Sequence, residues 1–115
     1  MNKVYNNETC ANLKYTVKNT AKFKKDLKLA IKRGYKIELL KEIVYKLANG
    51  EELPPVNRDH ELCGNRVCYR ECHIQPDWLL IYYIENDVLV LTLARTGTHS
   101  DLFKEQVCFC NYFNT

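Results

Sequence analysis

The sequence predicts an α+β domain with the order β-α-α-β-β-β, in which two helices pack on one face of a small, mainly antiparallel twisted sheet. Three observations lead to this fold class. Two stretches in the first half of the chain carry apolar residues at helical spacing, three short apolar stretches follow in the second half, and only turn residues separate those three. A chain of 115 residues is long enough for one such domain and too short for two.

Residues 13–50 are predicted to form the first strand and both helices. Residues 13–19, LKYTVKN, alternate as a half-buried strand does. Thr20 can cap a first helix that stops at Gly34, and Asn49-Gly50 can close a second one. The apolar positions expected to face the sheet are Phe23, Leu27, Ala30 and Ile31 in the first helix and Ile37, Leu40, Ile43, Val44, Leu47 and Ala48 in the second.

Residues 51–62 contain Pro54-Pro55 and are predicted to be a loop, because consecutive prolines fit neither a helix interior nor a central strand. Strands are then expected over residues 66–74, 78–85 and 88–95. The separators, 75–77 and 85–87, are turn material, so these strands should form an antiparallel meander. Residues 1–12 and 104–115 are expected to extend the domain, since neither segment shows a pattern of its own.

Basic residues are concentrated in the helical half of the chain. The net charge is +3, but residues 18–46 hold ten Lys and Arg against three Asp and Glu, which gives +7 there and leaves −4 for the remainder. Such a block attracts polyphosphate or an acidic partner. A lysine-rich helix face that is merely solvated explains the pattern equally well.

The six cysteines are expected to be free thiols, because no CxxC pair occurs and their spacing fits a structural zinc site poorly. They are Cys10, Cys63, Cys68, Cys72, Cys108 and Cys110. The start of the chain lacks the apolar run of a secretory signal, and no stretch approaches the roughly 18 apolar residues that cross a bilayer. A cytoplasmic location is therefore expected, where disulfides are rare.

Candidate chemistry gathers at one predicted end of the sheet. His73 and Asp77 flank a hairpin there, and antiparallel pairing brings residues 96–99, with His99, to the same end. Together with Arg95 and His60, these groups suit metal-free cleavage of a phosphodiester, because arginine matches phosphate oxygens and imidazole serves as acid or base near neutral pH. A zinc site built from the three histidines and Asp77 is the less favoured alternative, since their spacing shows no ligand pattern.

The alternation of the last strand conflicts with this site. A regular strand would put Arg95 on the same face as Leu89, Leu91 and Leu93, which should be buried beneath the helices. We therefore expect the strand to end or bulge near Ala94. Alternatively, the leucines line an apolar part of a partner-binding groove.

Four motifs occur in order along the second half of the chain. They are DHELCG (59–64), YRECH (69–73), PDWLLIY (76–82) and RTGTHSDLF (95–103). In this order they resemble the YafQ-like mRNA interferases of the RelE/ParE superfamily of bacterial toxins, and the resemblance covers roughly residues 13–103. It implies a toxin of a type II toxin-antitoxin system, a ribosome-dependent endoribonuclease without a cofactor. Such a toxin cuts messenger RNA in the decoding site and is held inactive by an antitoxin of the DinJ/RelB type.

The resemblance also implies an active-site set. It comprises His60, His73, Asp77, Trp78, Arg95, His99 and Phe103. Arg95 is expected to bind the scissile phosphate, and His99 to protonate the leaving 5′ oxygen. Asp77, with His73 or His60, is expected to deprotonate the 2′-OH.

The remaining assignments leave alternatives open. Phe103 either stacks on an unpaired base or packs in the core, and Trp78 is either a wall of the site or a structural anchor. Thr96 and Gly97 are expected to form a turn whose N–H groups face phosphate. Lys24, Lys25 and Lys28 are expected to contact ribosomal RNA of the small subunit. The rival function is that of ParE-like relatives, which inhibit DNA gyrase by binding and are not enzymes.

Overall fold

The structure, a computed structural model, describes residues 13–62 and 69–103, with the side chain of Phe103 outside that description. Its elements are β1 (Thr16–Asn19), α1 (Ala21–Lys32), α2 (Ile37–Ala48), a 3-10 turn (Pro55–Asn57), β2 (His60–Glu61), β3 (Arg70–Gln75), β4 (Trp78–Glu85), β5 (Val90–Gly97) and α3 (His99–Phe103). The five strands form one sheet in the order β1-β5-β4-β3-β2. β1 runs parallel to β5, and the other neighbours are antiparallel.

This architecture confirms the predicted α+β fold with two helices on one face of a mainly antiparallel sheet. Three short elements add to it. The predicted loop over 51–62 contains the 3-10 turn and ends in the two-residue strand β2, and the five-residue helix α3 follows β5. The last strand also begins at Val90 and continues to Gly97, instead of spanning 88–95.

The caps of α1 form as the sequence predicts. The Thr20 side chain accepts a hydrogen bond from the Phe23 N–H at 3.0 Å, so it satisfies one of the unpaired donors of the first turn. Gly34 follows the helix with a φ of 82°, a left-handed conformation that glycine adopts without steric cost. Ile31 departs from the prediction, because it is 49% exposed. At 100° per residue it lies about 80° around the helix axis from Phe23, beyond the buried stripe.

Helices pack on both faces of the sheet. On one face α1 and α2 pack against inward side chains of β3, β4 and β5 in the main core, which includes Phe23, Leu27, Leu40, Leu47, Leu80, Tyr82, Leu91 and Leu93. On the other face Leu102 of α3 packs against Leu79, Ile81 and Ala94 in a smaller cluster. The face that the two long helices leave open is therefore partly closed by the last described helix.

A bulge in β5 resolves the conflict over strand alternation. Tyr82 of β4 pairs with Leu93, whereas the preceding residue, Ile81, pairs with Arg95, so Ala94 is the extra residue. The expected bulge near Ala94 is confirmed. Leu89 does not belong to the buried row, because it precedes the strand in a turn with a φ of 56° and is 45% exposed.

Beyond the bulge, α1 takes the place of an edge strand beside β5. β1 ends at Asn19, opposite Leu93. The Thr20 hydroxyl then donates to the Ala94 carbonyl at 2.9 Å, and the Asp26 carboxylate accepts from the Thr96 N–H at 3.1 Å. Backbone groups that would otherwise form an open sheet edge are thus satisfied by the start of α1.

Candidate active site

The strand register brings candidate residues into two adjacent rows across the sheet. In the first row, His60 of β2 pairs with Glu71 of β3, Glu71 pairs with Ile81, and Ile81 pairs with Arg95. In the second row, His73 of β3 pairs with Leu79, which pairs with Gly97. Side chains of paired residues share a face, and the face of Leu79 and Ile81 is the one that carries α3. The helix α3 begins at His99, two residues after Gly97.

His60 lies at the sheet edge with hydrogen-bond partners at both ring nitrogens. Nδ1 lies 2.7 Å from the Arg58 carbonyl oxygen, and since a carbonyl can only accept, Nδ1 carries the hydrogen. Nε2 lies 3.2 Å from Oε1 of Glu71, whose side chain is only 6% exposed. The ring is thereby fixed in plane and orientation.

Glu71 is a residue near the candidate site that sequence reasoning missed. Among the described residues it is the one buried residue with a charged side chain, and its carboxylate faces His60. The available signal was the YRECH strand, in which Glu71 stands two residues before His73 and so on the same face. Its role depends on pairing with β2, however, and a strand of two residues shows no periodicity in the sequence.

His73 and Asp77 both lie at the hairpin between β3 and β4, His73 in the strand and Asp77 in the turn. The pair Gln75–Trp78 closes a turn made by Pro76 and Asp77, with a register irregularity between His73 and Gln75. The Nδ1 atom of His73 lies 3.3 Å from the Pro76 carbonyl oxygen, so this nitrogen donates and Nε2 is left as the basic nitrogen of a neutral ring. Asp77 is exposed at the turn.

Arg95 is more enclosed than its position at a strand end suggested. Its Nε and one terminal nitrogen donate to the two oxygens of Asp26 at 2.6 and 3.0 Å. The side chains of Arg95 and Asp26 are 11% and 14% exposed. The guanidinium is therefore largely enclosed, because α1 supplies a carboxylate that the sequence gave no reason to place there.

Trp78 and Thr96 form a buried pair that anchors the site. The Trp78 indole N–H donates to the Thr96 hydroxyl at 2.9 Å, and that hydroxyl donates to the Leu79 carbonyl at 2.7 Å. Both residues are 2% exposed, and Tyr35 packs edge-on against the indole with ring centroids 4.9 Å apart. Of the two alternatives for Trp78, this geometry corresponds to the structural anchor, and the Thr96 side chain is turned inward with it.

The turn into α3 is held by a reciprocal pair of hydrogen bonds. The Thr98 N–H donates to Asp101 Oδ2, and the Asp101 N–H donates to the Thr98 hydroxyl, both at 3.1 Å. Asp101 Oδ2 also accepts a hydrogen bond from Arg33 Nη1 at 2.8 Å, and this hydrogen bond lowers the pKa of the Asp101 carboxyl below its ordinary value. A Cβ on Gly97 would lie 3.1 Å from Asp101 Oδ2, so the absence of a side chain at Gly97 lets the Asp101 carboxylate pack closely against the backbone. His99 is thereby presented at an exposed position.

The other predicted residues are placed as follows. Lys24, Lys25 and Lys28 are exposed along α1. Phe103 ends α3, but its side chain lies outside the described atoms. Cys72 is a free, buried thiol whose pKa is raised by burial, and the other five cysteines lie outside the described residues.

Within residues 13–62 and 69–103, no three His, Cys, Asp or Glu side chains are grouped to hold a metal ion. Among the helices that the structure describes, none combines the length and apolar character needed to traverse a bilayer.

Comparisons with known proteins identify the family of the chain. Residues 15–104 match the family model described as bacterial toxin of type II toxin-antitoxin system, YafQ. The mRNA interferase toxin YafQ of Escherichia coli strain K12 is 40% identical over 88 residues, which are 76% of this chain and 94% of the relative.

Solved structures show the same fold. A metal-bound toxin from Helicobacter pylori aligns with a TM-score of 0.74 at 43% identity, over 77% of this chain and 99% of that one. The toxin chain matched in the E. coli DinJ-YafQ toxin-antitoxin complex aligns with a TM-score of 0.73 at 38% identity, over 79% and 99% of the two chains.

The fold is that of a small bacterial toxin, and related toxins of this fold are mRNA interferases. The chain belongs to the YafQ family of bacterial toxins of type II toxin-antitoxin systems. It is accordingly an endoribonuclease of the mRNA interferase class. Membership in this family decides against the ParE-like inhibitor of gyrase.

Proposed function

We propose that this toxin cleaves messenger RNA in the decoding site of the ribosome, using the RNA's own 2′-OH as the nucleophile. The observation that carries the proposal is the register, which places His73 and Gly97 in one row and so brings the hairpin with Asp77 and the turn with His99 to one end of the sheet. A general base, a general acid and an arginine then lie around one surface. No side-chain nucleophile is needed, because the substrate supplies it.

The hydrogen bonds of the histidines suggest a division of roles. Both nitrogens of His60 have partners, whereas Nδ1 of His73 is directed to a carbonyl and Nε2 is its basic atom. His73, assisted by the neighbouring Asp77, removes the proton from the 2′-OH, whose oxygen attacks the phosphorus. His99 protonates the departing 5′ oxygen. The products are a 2′,3′-cyclic phosphate and a free 5′-OH.

Arg95 contacts the scissile phosphate in this mechanism. The paired oxygens of Asp26 fix the plane of the guanidinium, so its orientation is set before RNA arrives. A hydrogen-bond donor that is already oriented needs little reorganisation to stabilise the charge that develops in the transition state. His60 and Glu71, in the same row as Arg95, form a second polar wall.

The partner that neutralises the toxin is proposed to be a DinJ-like antitoxin, because a chain 38% identical to this one is seen with DinJ in a toxin-antitoxin complex. Acidic side chains of the antitoxin would cover or displace residues 95–103 and mimic the phosphates that this surface binds. Binding should then depend on the charges of Arg95 and of the α1 lysines.

Replacement of either proton-transfer histidine tests the mechanism. We expect His73→Ala and His99→Ala each to lower the rate of cleavage on mRNA-programmed ribosomes by about 100- to 10,000-fold, the usual contribution of a general acid or base. Ser100→Ala, an exposed neighbour in α3, is the matched control and should cleave normally. Thermal unfolding of each variant checks that the fold survives.

The product ends test the nucleophile. A single 2′-deoxy substitution at the cleaved position should abolish the cut, and the same substitution one codon away should not. A 5′-phosphate on the downstream fragment would contradict the mechanism. A chelator selective for transition metals, which leaves ribosomal Mg²⁺ in place, should have no effect; loss of activity would show that a bound metal takes part.

A further inference from the structure

A groove beside His73 extends the candidate site along the outer edge of β3. It has a volume of about 510 Å³ and is lined by residues 55–58 of the 3-10 turn and 73–76 of the hairpin. This volume lies within the roughly 300–1,000 Å³ typical of small-ligand sites. Since His73 forms part of its wall, a substrate at the catalytic end can continue directly into the groove.

The walls of the groove are fixed by hydrogen bonds. The side-chain amide of Asn57, itself buried, donates to the His73 carbonyl at 2.7 Å and so ties the turn to β3 where β2 no longer pairs. The Arg58 N–H donates to the Pro55 carbonyl at 3.0 Å, with Arg58 in the left-handed region at a φ of 50°. The groove is therefore present before any ligand binds.

The lining has the chemistry of a nucleotide site. Pro55, Pro76 and Val56 offer apolar surface, and Val56 is 77% exposed. Gln75 carries an exposed amide that can both donate to and accept from the edge of a base. The Arg58 guanidinium forms no ion pair among the described residues and can contact a phosphate. None of the lining residues is acidic.

A second groove, at the end of α2, is a poorer match to RNA. It has a volume of about 590 Å³, but Glu51, Glu52 and Asp59 are among its lining residues. Carboxylates repel a phosphate backbone. Of these two grooves, as the described residues line them, the one that contains His73 combines apolar surface, an amide and a cation without an acid.

We propose that the groove between residues 55–58 and 73–76 binds the nucleobase of the nucleotide next to the scissile phosphate and so sets the base preference of cleavage. The base lies against Val56 and the prolines, Gln75 reads its edge, and Arg58 holds the adjoining phosphate. This inference rests on the proposed function, because it takes His73 to face the cleaved bond.

Two variants test the groove through substrate binding. Val56→Asp places a carboxylate against the base and should raise the KM for programmed ribosomes about tenfold, with kcat within about twofold of the wild type. Gln75→Ala should relax the base preference at one position next to the cut by about tenfold, read from the mapped ends of cleaved transcripts. Val88→Asp is the matched control, since Val88 is 58% exposed in the turn between β4 and β5, at the other end of the sheet.

The outcomes separate this inference from the mechanism. Unchanged KM and unchanged base preference in both groove variants would overturn it, as would a fall in kcat alone. An effect of Val56→Asp on antitoxin affinity without an effect on KM would also overturn it and identify the groove as a peptide site. The affinity for programmed ribosomes can also be measured without cleavage, with His99→Ala and a 2′-deoxy substrate. If adding Val56→Asp to His99→Ala lowers this affinity, the groove binds RNA even where the proposed chemistry fails.

Discussion

Asp26 connects α1 to the strand that carries the candidate phosphate ligand. Its carboxylate accepts from two nitrogens of Arg95 and from the backbone N–H of Thr96. These groups are largely shielded from water, so each would be costly to leave without a partner. Asp26 thus stabilises the fold and orients Arg95 at the same time.

The stability of Asp26→Asn should reveal this coupling. An amide cannot replace the charge opposite Arg95, and we expect the free energy of unfolding to fall by about 3 kcal/mol. Urea unfolding monitored by circular dichroism measures the change. Asp87→Asn, in an exposed turn, is the control and should be close to neutral. A loss below about 0.5 kcal/mol in Asp26→Asn would show that the pair contributes little.

At the scale of elements, α3 is the least autonomous part of the described fold. Five residues cannot form a stable helix in water on their own, because the nucleation cost exceeds the gain of so few hydrogen bonds. Tertiary contacts replace that stability: the reciprocal pair of Thr98 and Asp101, the ion pair with Arg33 and the burial of Leu102. The position of His99 therefore depends on α1.

The contribution of Asp101 should vary with pH. Hydrogen bonding to Arg33 lowers the pKa of the Asp101 carboxyl below its ordinary value of 3.8. A carboxyl with a lowered folded-state pKa stabilises the fold above that ordinary value and loses the effect as the pH falls through its folded-state pKa. The stability difference between the wild type and Asp101→Asn should therefore be larger at pH 6 than at pH 3. A difference that stays constant over this range would contradict the assignment.

The sequence predicted those parts of the fold that repeat a period over many residues. Two helices and four strands satisfy this condition, and even the bulge at Ala94 followed from the conflict between Arg95 and the leucines. The strand β2 and helix α3 are too short to show a period. Glu71 and Asp26 were missed for a different reason. Their roles depend on partners brought by the sheet register and by helix docking, and Asp26 and Arg95 are 69 residues apart in the chain.

At the scale of the whole molecule, charge is distributed unevenly around the candidate site. The candidate residues His60, His73, Asp77 and His99 lie in β2, in β3, in the β3–β4 turn and at the start of α3. The helix α1 contacts β5 through the ion pair of Asp26 with Arg95. Lys24, Lys25 and Lys28 are exposed on α1, while Phe23, Leu27 and Ala30 hold that helix to the sheet. The basic block can therefore contact a large phosphate surface without any change in the core.

Charge reversal on α1 tests whether the lysines guide the toxin to the ribosome or only solvate a helix face. Changing Lys24, Lys25 and Lys28 to Glu should weaken ribosome binding. It should also reduce the slope of log K against log salt by about 2–3, since each phosphate contact contributes roughly 0.7–0.9. Binding measured by sedimentation at several salt concentrations gives the slope. The same three positions changed to Arg keep the charge and should bind as the wild type does. If the Glu variant keeps the wild-type slope, ribosomal phosphates do not contact these lysines, and the positive charge of α1 serves solubility alone.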